Sequence, residues 1–320
     1  MQRQLRPARS AAWQGAAAPA ASLRARPHLT DLEQRRAAER AAKRQRRQKK
    51  AAQEAAARKL EAGLKHLMTH RANVEDPSCM HRTFAQSGYK KSYDQCGRPR
   101  DGGGQWAAPL EAVRSCLPRA FDLATWDQAV AQSGAGSDLH RAGSACARLW
   151  SGTPACRLIN QVIMDDDNRP HLDRMMPFVR CLNEYLYSGT TLAAELTVYR
   201  TSRLTLEQAA NIHTDTEYRI GMYVATSRTE AALAQVAGWQ AGETGAAPGV
   251  RWVFTIPAGC LQVDDLRSVS AYASEDEVLM IPYTAVRVDR NVAIPGGTTI
   301  YATVLRDAYI APEDLPTILA

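Results

Sequence analysis

Glu275 and Glu277, one residue apart in YASEDEVLMIP, are the side chains in this sequence best placed to do chemistry. Read as an extended strand, the segment puts both carboxylates on one face and Asp276 on the other. Val278 to Ile281 follow as a continuous apolar run, so the pair is expected at the mouth of a buried strand. Two anions held side by side repel, and a stable fold has little reason to keep them. Such pairs perform acid/base or electrostatic work, as at sugar anomeric centres. A charged strand end facing water is the plainer reading of the same residues. In VYRTS, Arg200 lies late on a strand between Tyr199 and Thr201. Its planar guanidinium fork suits a diphosphate. In YVATSRTEAAL, a strand ending in Thr226 and Ser227 passes into a helix through Arg228 and Thr229. Hydroxyls at that junction cap the helix, bond a ligand's ribose or brace a nearby carboxylate.

The elements that must carry these residues are legible in the pattern. LTVYRTS, EYRIGMYVATS, VRWVFTIPA, EDEVLMIPY, AVRVDRNVAI and TTIYATVLRD are short, rich in Val, Ile, Tyr and Thr, and bounded by turn residues. Helices are expected near Thr205–His213 and Thr229–Trp239. Upstream, helical patterns cover Leu110–Leu117, Leu123–Val130, Leu139–Trp150, Cys156–Met164 and Pro170–Tyr187. In the last, Met175, Met176, Val179, Leu182 and Leu186 form a core-facing stripe. Helices followed by a mostly antiparallel sheet define an α+β plan.

The first 70 residues differ in character. They hold 17 Lys and Arg against 5 Asp and Glu, leaving 23 against 28 in the remainder, so the basic balance belongs to the tail. Residues 1–30 carry five Arg and no acid, the composition of an organelle transit peptide. From Asp31 to about Met68 helix formers dominate, with Leu60, Leu64 and Leu67 the one apolar row. The cluster KRQRRQKK at 43–50 reads as a solvated basic helix, a nuclear address or a polyanion site, and contact with nucleic acid is placed on residues 35–59. Residues 71–109 are punctuated by Pro77, Gly88, Gly97, Pro99 and Gly102 to Gly104, and are expected to form a loop-rich linker. The division is then 1–70 basic extension, 71–109 linker and 110–320 catalytic domain. Cys79, His81 and Cys96 match no pair of zinc knuckles, so no metal is expected. Seven cysteines without framework spacing suit free thiols in a reducing compartment. No apolar run reaches the roughly 18 residues of a membrane span, and an intracellular site, cytoplasm or nucleus, is expected.

In order and spacing, Arg200, then Thr226-Ser227 before a helix, then Glu275-x-Glu277-Val-Leu resembles the Arg-Ser-Glu class of mono-ADP-ribosyltransferases, arginine-modifying toxins and ecto-enzymes. The resemblance covers roughly Cys156 to Asp307. It implies helices packed beside a split β-sheet core with a cleft for NAD, or NADP, as a substrate from which ADP-ribose passes to an exposed arginine of an acceptor protein. Arg200 then contacts the phosphates, Tyr199, Thr226 and Ser227 shape the cofactor pocket, and Asn160 is a cofactor contact. Glu277 bonds the ribose 2′-hydroxyl and stabilises the oxocarbenium-like transition state, Glu275 orients the acceptor guanidinium, and Tyr272 lies in the acceptor-recognition loop. One departure is Ala225, where the family usually has a serine that bonds the catalytic glutamate; Thr226 is the substitute the sequence offers. Hydrolysis of NAD at the same site, and a non-catalytic module with a polyanion-binding tail, are the alternatives.

Overall fold

The computed structural model describes residues 80–318, apart from positions 82, 203 and 296 and the segments 118–120, 153–154, 166–168, 190–191, 233–248 and 306–312, together with scattered positions between 36 and 51. Among the latter, Arg36, Ala38, Arg40, Lys43, Arg44, Gln45, Arg47, Gln48 and Ala51 are helical and exposed. The transit-peptide reading of residues 1–30, the Leu60, Leu64, Leu67 row and most of the helix near Thr229–Trp239 lie outside the described residues. No described helix is long and apolar enough to cross a membrane. Cys96, Cys116, Cys146, Cys156, Cys181 and Cys260 are free thiols.

The larger unit is α+β. Its helices are α1 (Gly88–Cys96), α2 (Pro109–Cys116), α3 (Leu123–Ala131), α4 (Asp138–Ser151), α5 (Ala155–Met164), α6 (Arg169–Ser188) and the short α7 (Leu206–Ala210). Their starts follow capping chemistry. The side chains of Ser87, Asp122 and Ser137 accept from backbone amides in the first turns of α1, α3 and α4, and Thr205 with Gln208 forms a capping box on α7. The predicted stripe of α6 is buried in full, with Met175, Met176, Val179, Leu182 and Leu186 at most 2 % exposed. Each such side chain stabilises the fold by roughly 1.5–3 kcal/mol.

Among the described residues ten strands form one sheet: β1 (Met80–His81), β2 (Leu196–Ser202), β3 (Glu217–Ile220), β4 (Val224–Ser227), β5 (Val250–Ile256), β6 (Val263–Asp265), β7 (Glu277–Met280), β8 (Thr284–Ile294), β9 (Gly297–Val304) and β10 (Thr317–Ile318). They are hydrogen-bonded in the order β1-β10-β3-β8-β9-β5-β2-β4-β7-β6, antiparallel except at β10–β3 and β5–β9. The sheet comes close to splitting between β2 and β4, whose registered pairing among the described residues is the single pair Tyr199↔Ser227. Two cores result. One lies between the helices and the sheet and takes in Trp150, Tyr223 and Leu279; the other collects Val198, Trp252, Phe254, Val278 and Val286.

Two expectations need correction. EYRIGMYVATS is two strands: the chain breaks at Gly221, where the N–H donates to Ile318 O and an added Cβ would lie 2.8 Å from the Thr317 side chain. The terminal strand β10 docks there, and no local pattern announces so distant a neighbour. The second correction concerns residues 71–109, whose described part is no linker. Tyr89 and Trp106 are 2 % and 5 % exposed in the helix-side core, and β1 pairs with β10. Gly97, Pro99, Gly102 and Gly104 do stand at turns and helix ends, but Gly88 opens α1, and aromatic residues of the segment carry its packing.

Candidate active site

Strands β4 and β7 pair in the register Val224↔Met280, Ala225↔Leu279, Thr226↔Val278 and Ser227↔Glu277. Directly opposed residues share a face of the sheet. Glu277, Ser227, Ala225 and Leu279 therefore look toward the helices, and Thr226 and Val278 look the other way. Thr226 is thus corrected from its expected place: its hydroxyl donates to Val278 O at 2.8 Å and braces the strand pair, on the wrong face to hold Glu277.

Glu277 is 6 % exposed. Its Oε1 accepts from Trp150 Nε1 at 3.0 Å, and its Oε2 is buried without a hydrogen-bond partner among the described residues. Burial raises its carboxyl to about pH 7; the Trp150 hydrogen bond and the Arg200 charge oppose that rise, and the Glu275 charge adds to it. The group is therefore half-ionised near neutrality. Cys156 of α5 faces the same space, its thiol pushed up to about 11 by burial and by the Glu277 charge. A thiol so raised stays protonated and is a poor nucleophile.

The alternation expected of Glu275 and Glu277 does not occur. Residues Ala273–Glu275 form a 3-10 turn, Asp276 adopts the left-handed conformation (φ 48°, ψ 44°), and the strand begins at Glu277. Glu275 is half-buried at the rim, where burial raises its carboxyl above the ordinary range. The two carboxylates remain close enough for one charge to act on the other, but the turn brings them together, whereas strand period was expected to. Three contacts fix that turn: Ser227 Oγ donates to Glu275 O at 2.9 Å, Arg228 N to Asp276 O at 3.2 Å, and Ala271 N to Ser151 Oγ at 2.8 Å. Tyr272, in the same turn, is 48 % exposed.

Arg200 projects from β2 and donates through Nη1 to Ala225 O at 2.9 Å, tying the two half-sheets together beside Glu277. Tyr199, opposite Ser227, is half-buried. Asn160, expected as a cofactor contact, bonds the backbone of Tyr223. Its Nδ2 donates to Tyr223 O at 3.0 Å and its Oδ1 accepts from Tyr223 N at 2.9 Å, so the amide brackets the backbone just before β4. Among the described residues no three His, Cys, Asp or Glu side chains are grouped to hold a metal ion.

The residue that sequence reasoning misses is Trp150. Its place near the end of a helical pattern is clear, as is its burial, but the carboxylate it meets is 127 positions away. A buried tryptophan needs a partner for its N–H; that requirement is the one available signal, and it does not name the partner.

No family model matches the chain, and no curated protein matches it. Several solved structures are similar in outline. Plx2a, an ADP-ribosyltransferase toxin from Paenibacillus larvae, is 17 % identical with a TM-score of 0.40 over 57 % of this chain and 90 % of its own. Exoenzyme S from Pseudomonas aeruginosa, in complex with human 14-3-3 protein beta and bound to carba-NAD, is 14 % identical with a TM-score of 0.44 over 61 % and 88 %. The ADP-ribosyltransferase Vis in complex with agmatine is 12 % identical with a TM-score of 0.42 over 62 % and 92 %; Vis is a toxin of Vibrio splendidus.

Proposed function

We propose that this chain is an NAD-dependent mono-ADP-ribosyltransferase that transfers ADP-ribose to an arginine side chain. The observation that carries the reading is Glu277: a nearly buried carboxylate, held at one oxygen, whose other oxygen has no donor among the described residues. A buried acceptor without a partner is costly, and a ribose hydroxyl would satisfy it. Arg200 stands beside it to receive phosphate oxygens, and Tyr199 with Ser227 lines the wall where β2 and β4 diverge. As the bond from ribose C1′ to nicotinamide nitrogen breaks, its electron pair leaves with nicotinamide and positive charge develops at C1′. A fixed anion stabilises that charge in a site where little reorganisation is needed. A guanidine nitrogen of the acceptor then forms the new C1′–N bond, and Glu275 takes the proton it loses. Tyr272, exposed in the Glu275 turn, offers a ring face to the incoming guanidinium.

The reading is tested by nicotinamide release from NAD, with and without agmatine as arginine mimic, in wild type, Glu277→Gln and Glu275→Gln. Release abolished by Glu277→Gln, with agmatine labelling selectively lost in Glu275→Gln, is the expected result. Release that agmatine never intercepts identifies a glycohydrolase. A folded wild type without release identifies a binding module, and the exposed cations at Arg36, Arg40, Lys43, Arg44 and Arg47 then become the place to look for its polyanion.

A further inference from the structure

We infer that Trp150 is the positioning residue of Glu277, doing through its indole N–H what no hydroxyl of the neighbouring strand does. Three features of the sheet close off the alternatives. Ser227 shares the face of Glu277, but its hydroxyl is given to Glu275 O. Thr226 is on the opposite face and bonded to Val278 O. Position 225, one pair along on the correct face, is alanine and has nothing to donate. The donor comes instead from α4, across the core.

Trp150 is itself held in place. It is 1 % exposed, and its ring lies 4.7 Å from that of Tyr223. Tyr223 donates its hydroxyl to Asn183 Oδ1 at 2.6 Å, Asn183 Nδ2 donates to Tyr89 Oη at 3.2 Å, and the backbone of Tyr223 is bracketed by Asn160. These contacts anchor the tyrosine ring against which the buried indole packs. One carboxylate oxygen is then committed to Trp150 and the other is left aimed for a ligand. Among the described residues, the other charged or titratable groups that act on Glu277 or feel its charge are Glu275 from the turn, Arg200 from β2 and Cys156 from α5.

The consequence for the reaction rests on the transferase reading; the hydrogen bond itself does not, and two measurements on the full chain separate them. The first is the pH titration of the Trp150 indole 15N–1H signal, assigned by its disappearance in Trp150→Phe. Expected is a shift with a midpoint near 7 in wild type that vanishes in Glu277→Gln. The second is nicotinamide release in Trp150→Phe, which keeps an aromatic ring against Tyr223 and removes the donor. Expected are a kcat loss of about 10- to 100-fold, the size of a hydrogen bond to a charged group, and a KM for NAD within about twofold of wild type. The acid limb of kcat/KM moves to higher pH, because the indole N–H favours the ionised Glu277 carboxylate and phenylalanine cannot. Ala225→Ser, added to Trp150→Phe, restores part of the rate by supplying a hydroxyl on the same face. An indole signal indifferent to pH, or titrating alike in Glu277→Gln, overturns the inference. So does a Trp150→Phe enzyme that melts lower but keeps the wild-type pH midpoint. Wild type that releases no nicotinamide while its indole titrates as expected refutes the transferase reading and upholds the hold of Trp150 on Glu277.

Discussion

The turn at Ala271–Asp276 and the strand Glu277–Met280 are adjacent in sequence and opposite in physical character. All four strand residues are buried, and the carboxylate at its head is buried with them. The turn stands at the rim, with no buried residue in its 3-10 segment, and is tied down through hydrogen bonds between its backbone and the hydroxyls of Ser227 and Ser151. One peptide unit in the left-handed region, Asp276, separates them. Two identical side chains thereby receive different properties: Glu277 is fixed, desolvated and near the midpoint of its titration at neutral pH, whereas Glu275 is free to reach a partner that arrives from solvent. The transferase proposed above would use both, one to stabilise a charge and the other to accept a proton.

The contrast can be broken at either side. The largest effect is expected from Glu277→Gln, which should lower kcat for nicotinamide release by about 10²–10³-fold, the typical worth of one preorganised electrostatic group. A smaller loss would mean that the developing charge is met elsewhere. On the proposed reading of Glu275 as a general base for the acceptor alone, Glu275→Gln is expected to cost about 10²-fold in labelling of agmatine while leaving hydrolysis of NAD within about threefold. Equal losses in both reactions would erase the division of labour between turn and strand.

Stability sharpens the same comparison. The Glu277 carboxyl is raised to about 7 from an ordinary value of 4.5. The native state therefore binds more protons than the unfolded state between those values. Stability contributed by the protonated form is present below about pH 4.5 and lost as pH rises through about 7. Glu277→Gln, which keeps an acceptor for Trp150 and no charge, should thus stabilise the fold at pH 8 by up to about 3 kcal/mol and leave it unchanged at pH 4, as read from denaturant midpoints at each pH. Glu275→Gln, at the rim, should give a much smaller difference. Least of all, Asp276→Ala should cost about 1 kcal/mol, because alanine resists the left-handed conformation that aspartate tolerates. No change in melting would indicate a turn that relaxes at little cost.

Much of this is legible from residue pattern. The pattern delimits strand β2 to the residue, the helices α2 to α6 to within one or two positions, and the buried stripe of α6 in full. These are long or strongly periodic segments, in which local sequence and burial agree. The short strands β1, β6 and β10, of two or three residues each, have no period to read. The segment before Leu110 misleads because turn residues dominate its composition, whereas its contribution to the core comes from single aromatic residues such as Tyr89 and Trp106.

At the site the division is similar. Glu277, Arg200 and Ser227 stand out by residue type and order, because a carboxylate followed by four apolar residues, or a hydroxyl at a strand end, is a local feature. Which oxygen of Glu277 is held, and by what, is decided in three dimensions. The strand register places Thr226 on the far face, the left-handed Asp276 replaces the expected alternation, and the packing of α4 brings Trp150 to a carboxylate far away in the chain. Sequence by itself determined the chemical groups and the elements that carry them, since both follow from neighbours along the chain. Only the tertiary structure decided which groups meet, because a hydrogen bond between distant residues depends on register, on face and on helix packing, none of which short-range pattern encodes.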